Sequence, residues 1–179
     1  MPMAIRVSET EADTPDSIAR TDGDQIQRMA EAGADSATPS LFKMKVALPR
    51  QGRGHAFLAA TDRMTVVLKS YAADGENKLH GHVNEDHTFI VMQGKARFTD
   101  PQGESVVLGK HDGILIPRRA LYTFMTEGDE PLVLLRVGCV VDAARPPWGR
   151  VDAHGQPVRG GDRENNTVPT VFLEGRYFE

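Results

Sequence analysis

Three of the chain's six histidines, His80, His82 and His87, fall within eight residues. A neutral imidazole nitrogen binds divalent transition metals, so such a cluster is first of all a candidate metal site. The spacing discriminates between elements. On a helix turning about 100° per residue, His80 and His87 nearly eclipse while His82 points roughly the opposite way. On a strand, His80 and His82 are i and i+2 and share a face. Residues 83–86 include Asn84, a good turn former, so the chain can bend and return His87 to the same point. Three imidazoles converging from β-structure leave coordination positions open, which suits catalysis better than a closed structural site.

The elements that must position these rings are short and extended. Residues 1–40, rich in acidic residues, Ser, Thr, Ala and Pro, read as an arm in which residues 17–34 can form one helix anchored by Ile18, Ile26 and Met29, with Pro39 ending any such element. From residue 41 the texture changes. Residues 41–48 alternate as a strand that stops at Pro49, and residues 51–54 read as a loop. Further strands are expected over 64–71, 88–93, 95–99, 104–108, 113–116, 121–126 and 132–141, separated by Gly, Pro and Asp turns. Strands recurring about every eight to twelve residues predict an antiparallel sandwich or small barrel over 41–141. Residues 142–179 read as a wrapping segment whose apolar end, 168–178, docks as a final strand.

The 179 residues suffice for one domain with extensions and a real core. A net charge of −4 offers no electrostatic footprint for nucleic acid. No apolar run approaches the length of a membrane span and no signal peptide opens the chain, so a cytoplasmic protein without membrane contact is expected. The single cysteine, Cys139, excludes an internal disulfide, and its apolar surroundings read as those of a buried, inert thiol.

Around the histidines lies a longer pattern. Gly75 precedes His80-x-His82, and six residues separate His87 from Gly94; further on, Asp112 and Pro117 are followed, after four residues, by Tyr122. Over residues 65–140 this resembles the cupin superfamily, whose first motif runs Gly, His-x-His, Glu, Gly and whose second runs Gly-Asp, Pro, His. In that frame His87 stands where the family usually has Glu, His111 replaces the Gly before Asp112, and Tyr122 occupies the place of the fourth ligand, His. A rival register puts Asp86, three residues beyond His82, in the Glu slot and gives a two-His, one-carboxylate set; the count to Gly94 favours His87.

The resemblance implies an all-β fold, an antiparallel β-sandwich or jelly-roll barrel with a short N-terminal helical or irregular arm, homodimeric, with a metal in its mouth. His80, His82 and His87 would hold one divalent transition metal ion, with iron expected first and zinc, nickel or manganese as alternatives. Tyr122 is left open among ligand, acid/base and lining residue. A neutral ligand set favours an anionic chelating substrate, so the leading expectation is a dioxygenase acting on a small oxygenated or carboxylated molecule, with Tyr122 donating a proton. The alternatives are a redox-neutral lyase, isomerase or cyclase and a non-catalytic small-molecule-binding protein. Glu85 and Asp86 can hold the histidine tautomers from outside the ligand set. Arg136 interrupts an apolar run and reads as an outward, snorkelling side chain; turned inward beside Lys69 it could bind a carboxylate. His55, His111 and His154 are isolated and read as surface or capping residues, Arg118 and Arg119 as solvated, and Gly94 as a turn residue needing positive φ.

Overall fold

The computed structural model describes residues 6–7, 22–34, 37–73, 77–142, 144, 149–158 and 168–179. In the arm, β1 (Arg6–Val7) pairs in parallel with β2 (Ser40–Leu41). Between them α1 (Asp22–Glu31) occupies the middle of the expected helical stretch, while residues 8–21 lie outside the described residues. Among the described residues no helix is long and apolar enough to cross a membrane.

The scaffold is an antiparallel five-stranded sheet in the order β10 (Gly113–Ile116), β7 (Glu85–Gln93), β12 (Leu132–Val140), β5 (Met64–Tyr71), β4 (Arg53–Ala60). Its inner face packs against a three-stranded sheet of β11 (Thr123–Thr126), β8 (Ala96–Thr99) and β9 (Ser105–Leu108). A small sheet of β14 (Pro157–Val158), β13 (Arg150–Val151) and β6 (Gly81–His82) carries part of the histidine cluster. Against the outer face lie β15 (Val171–Phe178) and β3 (Val46–Gln51), so the chain's apolar end is the docked strand its pattern predicts. The architecture is the all-β sandwich of jelly-roll type that the sequence implies.

Two-residue alternation builds both cores. Tyr71, Phe89, Phe98, Phe124, Leu132 and Leu134 meet on the inner face. Val46, Leu48, Leu58, Leu68 and Val133 fill the space between the main sheet and β3. Each such side chain contributes about 1.5–3 kcal/mol on burial, so packing carries the fold. The α1 residues Met29 and Ala32 pack on Ala60 and Phe57, and the Ala60 amide donates to the Ala32 carbonyl at 3.1 Å, which fixes the helix over the end of β4.

Several local expectations need correction. Pro49 does not end a strand; it sits inside β3, whose hydrogen bonds go to β15 alone and whose register shifts beside Phe172, so the missing amide proton costs no regular ladder bond. Residues 51–54 are not a loop: Gly52 alone, at φ 77, turns β3 into β4. Cys139 is exposed rather than buried, because it alternates with the buried Gly138 and Val140 at a strand end that the outer layer does not cover. Gly94 takes φ 71 as expected. His111 takes φ 75, the backbone conformation that glycine would adopt there without strain.

Candidate metal centre

Alternation along β7 buries Glu85, His87, Phe89 and Val91 on one face. Asp86, on the other face, accepts from the Arg118 amide at 2.6 Å and lies 3.7 Å from Arg118 Nη1. Just before β7, Asn84 makes the foreseen bend: its side chain donates to the Asp142 carbonyl at 3.0 Å and accepts from the Asp142 amide at 2.9 Å. That clasp turns the chain from β6, where His82 pairs with Arg150, into β7. His80 and Tyr122 form an isolated antiparallel bridge with backbone bonds of 3.1 and 3.0 Å.

These elements bring all four expected site residues together. Ring centroids are 5.3 Å apart for His80 and His82, 4.7 Å for His82 and His87, and 4.8 Å for His80 and Tyr122. The Tyr122 hydroxyl lies 3.0 Å from His87 Nε2. Beneath them Phe89, Phe98 and Phe124 form an aromatic floor, with His87 against Phe89 at 5.2 Å. Among the described residues, the group whose ligand atoms all lie within 4.8 Å of one another is His82, Glu85 and His87; His80 stands beside it.

Glu85 is the neighbour that the reading of residues 83–86 as a turn placed outside the ligand set. It starts a strand, two residues before His87, and that i, i+2 relation is the signal that could have found it. Arg136 is the other reversal. It points inward, is 8% exposed, and its Nη2 donates to Glu85 Oε2. Glu85 Oε2 also lies 3.2 Å from His82 Nδ1. Glycine at 138 makes room for this pair, since a Cβ there would collide with Glu85 Oε1 and lie 2.8 Å from Arg136 Nη1. The register with Asp86 as the carboxylate is excluded by its outward direction, whereas His87 faces the cluster.

Burial sets the protonation states. It holds the His80 ring down to about 2 and the His82 ring down to about 4, and pushes His87 well below the usual imidazole range. Burial pushes the Glu85 carboxyl up, but Arg136 and His82 together outweigh it and hold Glu85 ionised. Burial raises the Tyr122 hydroxyl, which therefore keeps its proton. His80 Nδ1 donates to the Lys78 carbonyl at 2.8 Å, leaving Nε2 bare, enclosed and without a hydrogen-bond partner; His87 Nδ1 also makes no hydrogen bond, whereas His82 Nδ1 faces Glu85 Oε2.

This donor set fits a divalent transition metal. Ligand bonds of about 2.1 Å place neighbouring octahedral ligands about 3 Å apart and opposite ones about 4.2 Å apart. The ligand atoms of His82, Glu85 and His87 all lie within 4.8 Å of one another, with His82 Nδ1 and Glu85 Oε2 at 3.2 Å, a spacing of the same order. Neutral imidazoles and an ionised carboxylate are the protonation states that metal binding requires.

Of the other histidines, His111 and His154 are exposed as expected. His55 is half-buried rather than exposed: its Nε2 is enclosed without a partner, and burial holds the ring well below the usual range. Arg53 and Arg150 escaped the sequence reading because one lies in a Gly-rich stretch and the other in a Pro/Gly-rich one.

The family model of the cupin domain matches residues 67–138. No curated protein matches the chain. Among solved structures, the cupin domain of Cnp3 from Schizosaccharomyces pombe is 18% identical, with 51% of this chain and 67% of that one covered and a TM-score of 0.47. A double-stranded β-helix domain protein from Klebsiella pneumoniae is 20% identical, with 52% and 82% covered and a TM-score of 0.47. KdgF from a Halomonas species is 19% identical, with 52% and 84% covered and a TM-score of 0.45. The matched segment, running from Val67 in β5 to Gly138 in β12 and carrying the buried histidine cluster, is a cupin domain.

Proposed function

We propose that His80, His82, His87 and Glu85 hold one divalent transition metal ion, and that the protein is a metal-dependent dioxygenase acting on a small oxygenated or carboxylated molecule. The observation that carries this reading is the set of bare, enclosed ring nitrogens around a carboxylate whose charge Arg136 already balances. Mixed imidazole and carboxylate donors suit iron, with manganese, nickel and zinc as alternatives. When bound, iron supplies Lewis acidity and a one-electron couple able to react with O₂.

The protein's own residues do the rest. The Lys78 carbonyl fixes the His80 tautomer and ring orientation. Arg136 neutralises Glu85, so the ligand set stays receptive to an anionic, chelating substrate such as an enolate, catecholate or carboxylate. Tyr122, protonated beside His87, donates a hydrogen bond to an oxygen held in the mouth of the cluster. The aromatic floor keeps water from beneath the site. A homodimer in the cytoplasm completes the proposal; the exposed side chains of Val106, Val107, Leu115 and Met125 offer apolar surface for a second copy, and sedimentation of the purified protein reads the oligomeric state directly.

The test is an oxygen-electrode assay of iron-loaded protein with 2-oxo acids, catechols and β-diketones. Iron-dependent oxygen uptake supports the dioxygenase. Turnover of the same compounds under strict anaerobiosis supports the second reading, a redox-neutral lyase or isomerase. That reading draws its support from Tyr122, an enclosed hydroxyl that keeps its proton and can act as a general acid toward an enolate.

A further inference from the structure

Beyond the histidines, the interior face of the main sheet becomes basic. Gly54 and Ser70 face β15, since a Cβ on Gly54 would lie 2.8 Å from both Phe172 and Ser70 Oγ. Their neighbours Arg53, His55 and Lys69 therefore point the other way, into the interior. The register sets them side by side: His55 opposes Lys69, Lys69 opposes Leu134, and Arg53 opposes Tyr71. Arg136 lies one step along the same face from Leu134, and Arg150 enters from β13 opposite His82.

Two of these cations, Lys69 and Arg150, have no bonded acid among the described residues. Arg53, Lys69 and Arg136 are all buried, with Arg150 half-buried beside them, whereas Glu85 is the one buried acid among the described residues. Glu85 is already bonded to Arg136. Arg53 donates to the Asn77 side chain. Lys69 is 8% exposed, and neither it nor Arg150 makes a hydrogen bond or ion pair with any described residue. An isolated buried ammonium is costly, and a fold that needed only packing here would do better with an apolar side chain.

We propose that Lys69 and Arg150 form an oxyanion subsite beside the histidine cluster, on the same interior face. It binds the remote carboxylate or phosphoryl group of a substrate whose other end faces His80, His82 and His87. The inference rests on reading this interior as the substrate site, and it narrows the substrate class to small molecules with a chelating end and a separate anionic end. The α1 helix docks over Phe57, two residues from His55 on β4, and half-buries this end of the face.

The test uses the full chain, stripped of metal by dialysis against a chelator, with succinate, its neutral isostere succinamide, and inorganic phosphate as probes. With an anion in tenfold excess over its Kd, Tm should rise by about 3 °C or more, and succinamide should leave it unchanged. A larger effect from succinate identifies a carboxylate subsite; a larger effect from phosphate identifies a phosphoryl subsite. Lys69→Met keeps the apolar stem and removes the buried charge, so it should fold and weaken anion binding about tenfold or more. Arg150→Gln, read in the same way, provides a second variant. The proposal is overturned if no anion shifts Tm, if succinamide matches succinate, or if both variants respond like the native chain. Because the assay is metal-free, a failure of metal loading would sink the enzyme reading and leave this result standing.

Discussion

The Arg136 guanidinium on β12 reaches across Gly138 to the Glu85 carboxylate on β7 and holds it beside His82. Three positions are thereby coupled: an acid that lines the candidate metal site, a base that neutralises it, and a glycine whose missing side chain leaves them room. The pair also explains how a carboxylate stays ionised in an interior lined by aromatic rings.

Gly138→Ala should therefore displace Glu85. We expect a loss of about 2–4 kcal/mol in urea unfolding together with weaker metal retention. Arg136→Met should cost about 3–5 kcal/mol by leaving a buried carboxylate unpaired, and Arg136→Met combined with Glu85→Gln should recover much of that loss. A double variant no more stable than Arg136→Met alone would mean that the pair is not the source of the effect.

Asp86 and His82 separate outward from inward residues. Asp86→Asn should leave metal content unchanged, since its side chain bonds the Arg118 backbone outside the cluster. His82→Ala should lower metal content at least about tenfold while the barrel stays folded by circular dichroism. Equal metal loading in the two variants would show that His82 is not a ligand.

The legible part of this molecule was its period. The short apolar runs over 88–93 and 132–141 are strands as expected, and the i, i+2 relation of His80 and His82 brings both rings to one place. What escaped the sequence reading depends on tertiary neighbours. Whether Arg136 snorkels or turns inward is decided by Glu85, which is 51 residues away in sequence. Glu85 itself was hidden because a bend of only two residues separates it from His82, so it begins a strand where four residues of turn seemed natural. Cys139 shows the converse: an apolar run does not reveal which of its ends the outer layer leaves uncovered.

Tyr122→Phe removes a hydroxyl 3.0 Å from His87 Nε2 and no ring contact. Metal content and Tm should stay close to those of the native chain, whereas turnover of any identified substrate should fall about 10²-fold or more. Loss of metal instead would make Tyr122 a ligand; unchanged turnover would make it a lining residue.

The buried rings predict acid lability. His80 is held at about 2 and His82 at about 4 against an ordinary 6.5, and His55 and His87 are lowered in the same direction, all chiefly by burial. The unfolded chain takes up protons on these rings below about pH 6.5 while the folded chain does not. Stability is thus complete above that pH and falls as pH drops, by about 1.4 kcal/mol per pH unit for each ring. Urea midpoints of metal-free protein should decline steadily from pH 7 to pH 5. A flat profile over that range would contradict the burial of the cluster.

The central claim is that His80, His82, His87 and Glu85 hold a metal ion, and elemental mass spectrometry of untagged protein purified without oxygen tests it most directly. The account predicts close to one divalent transition metal ion per chain, iron foremost, lost in His82→Ala and retained in Asp86→Asn. Native protein that stays metal-free after incubation with iron, manganese, nickel and zinc in turn would contradict it.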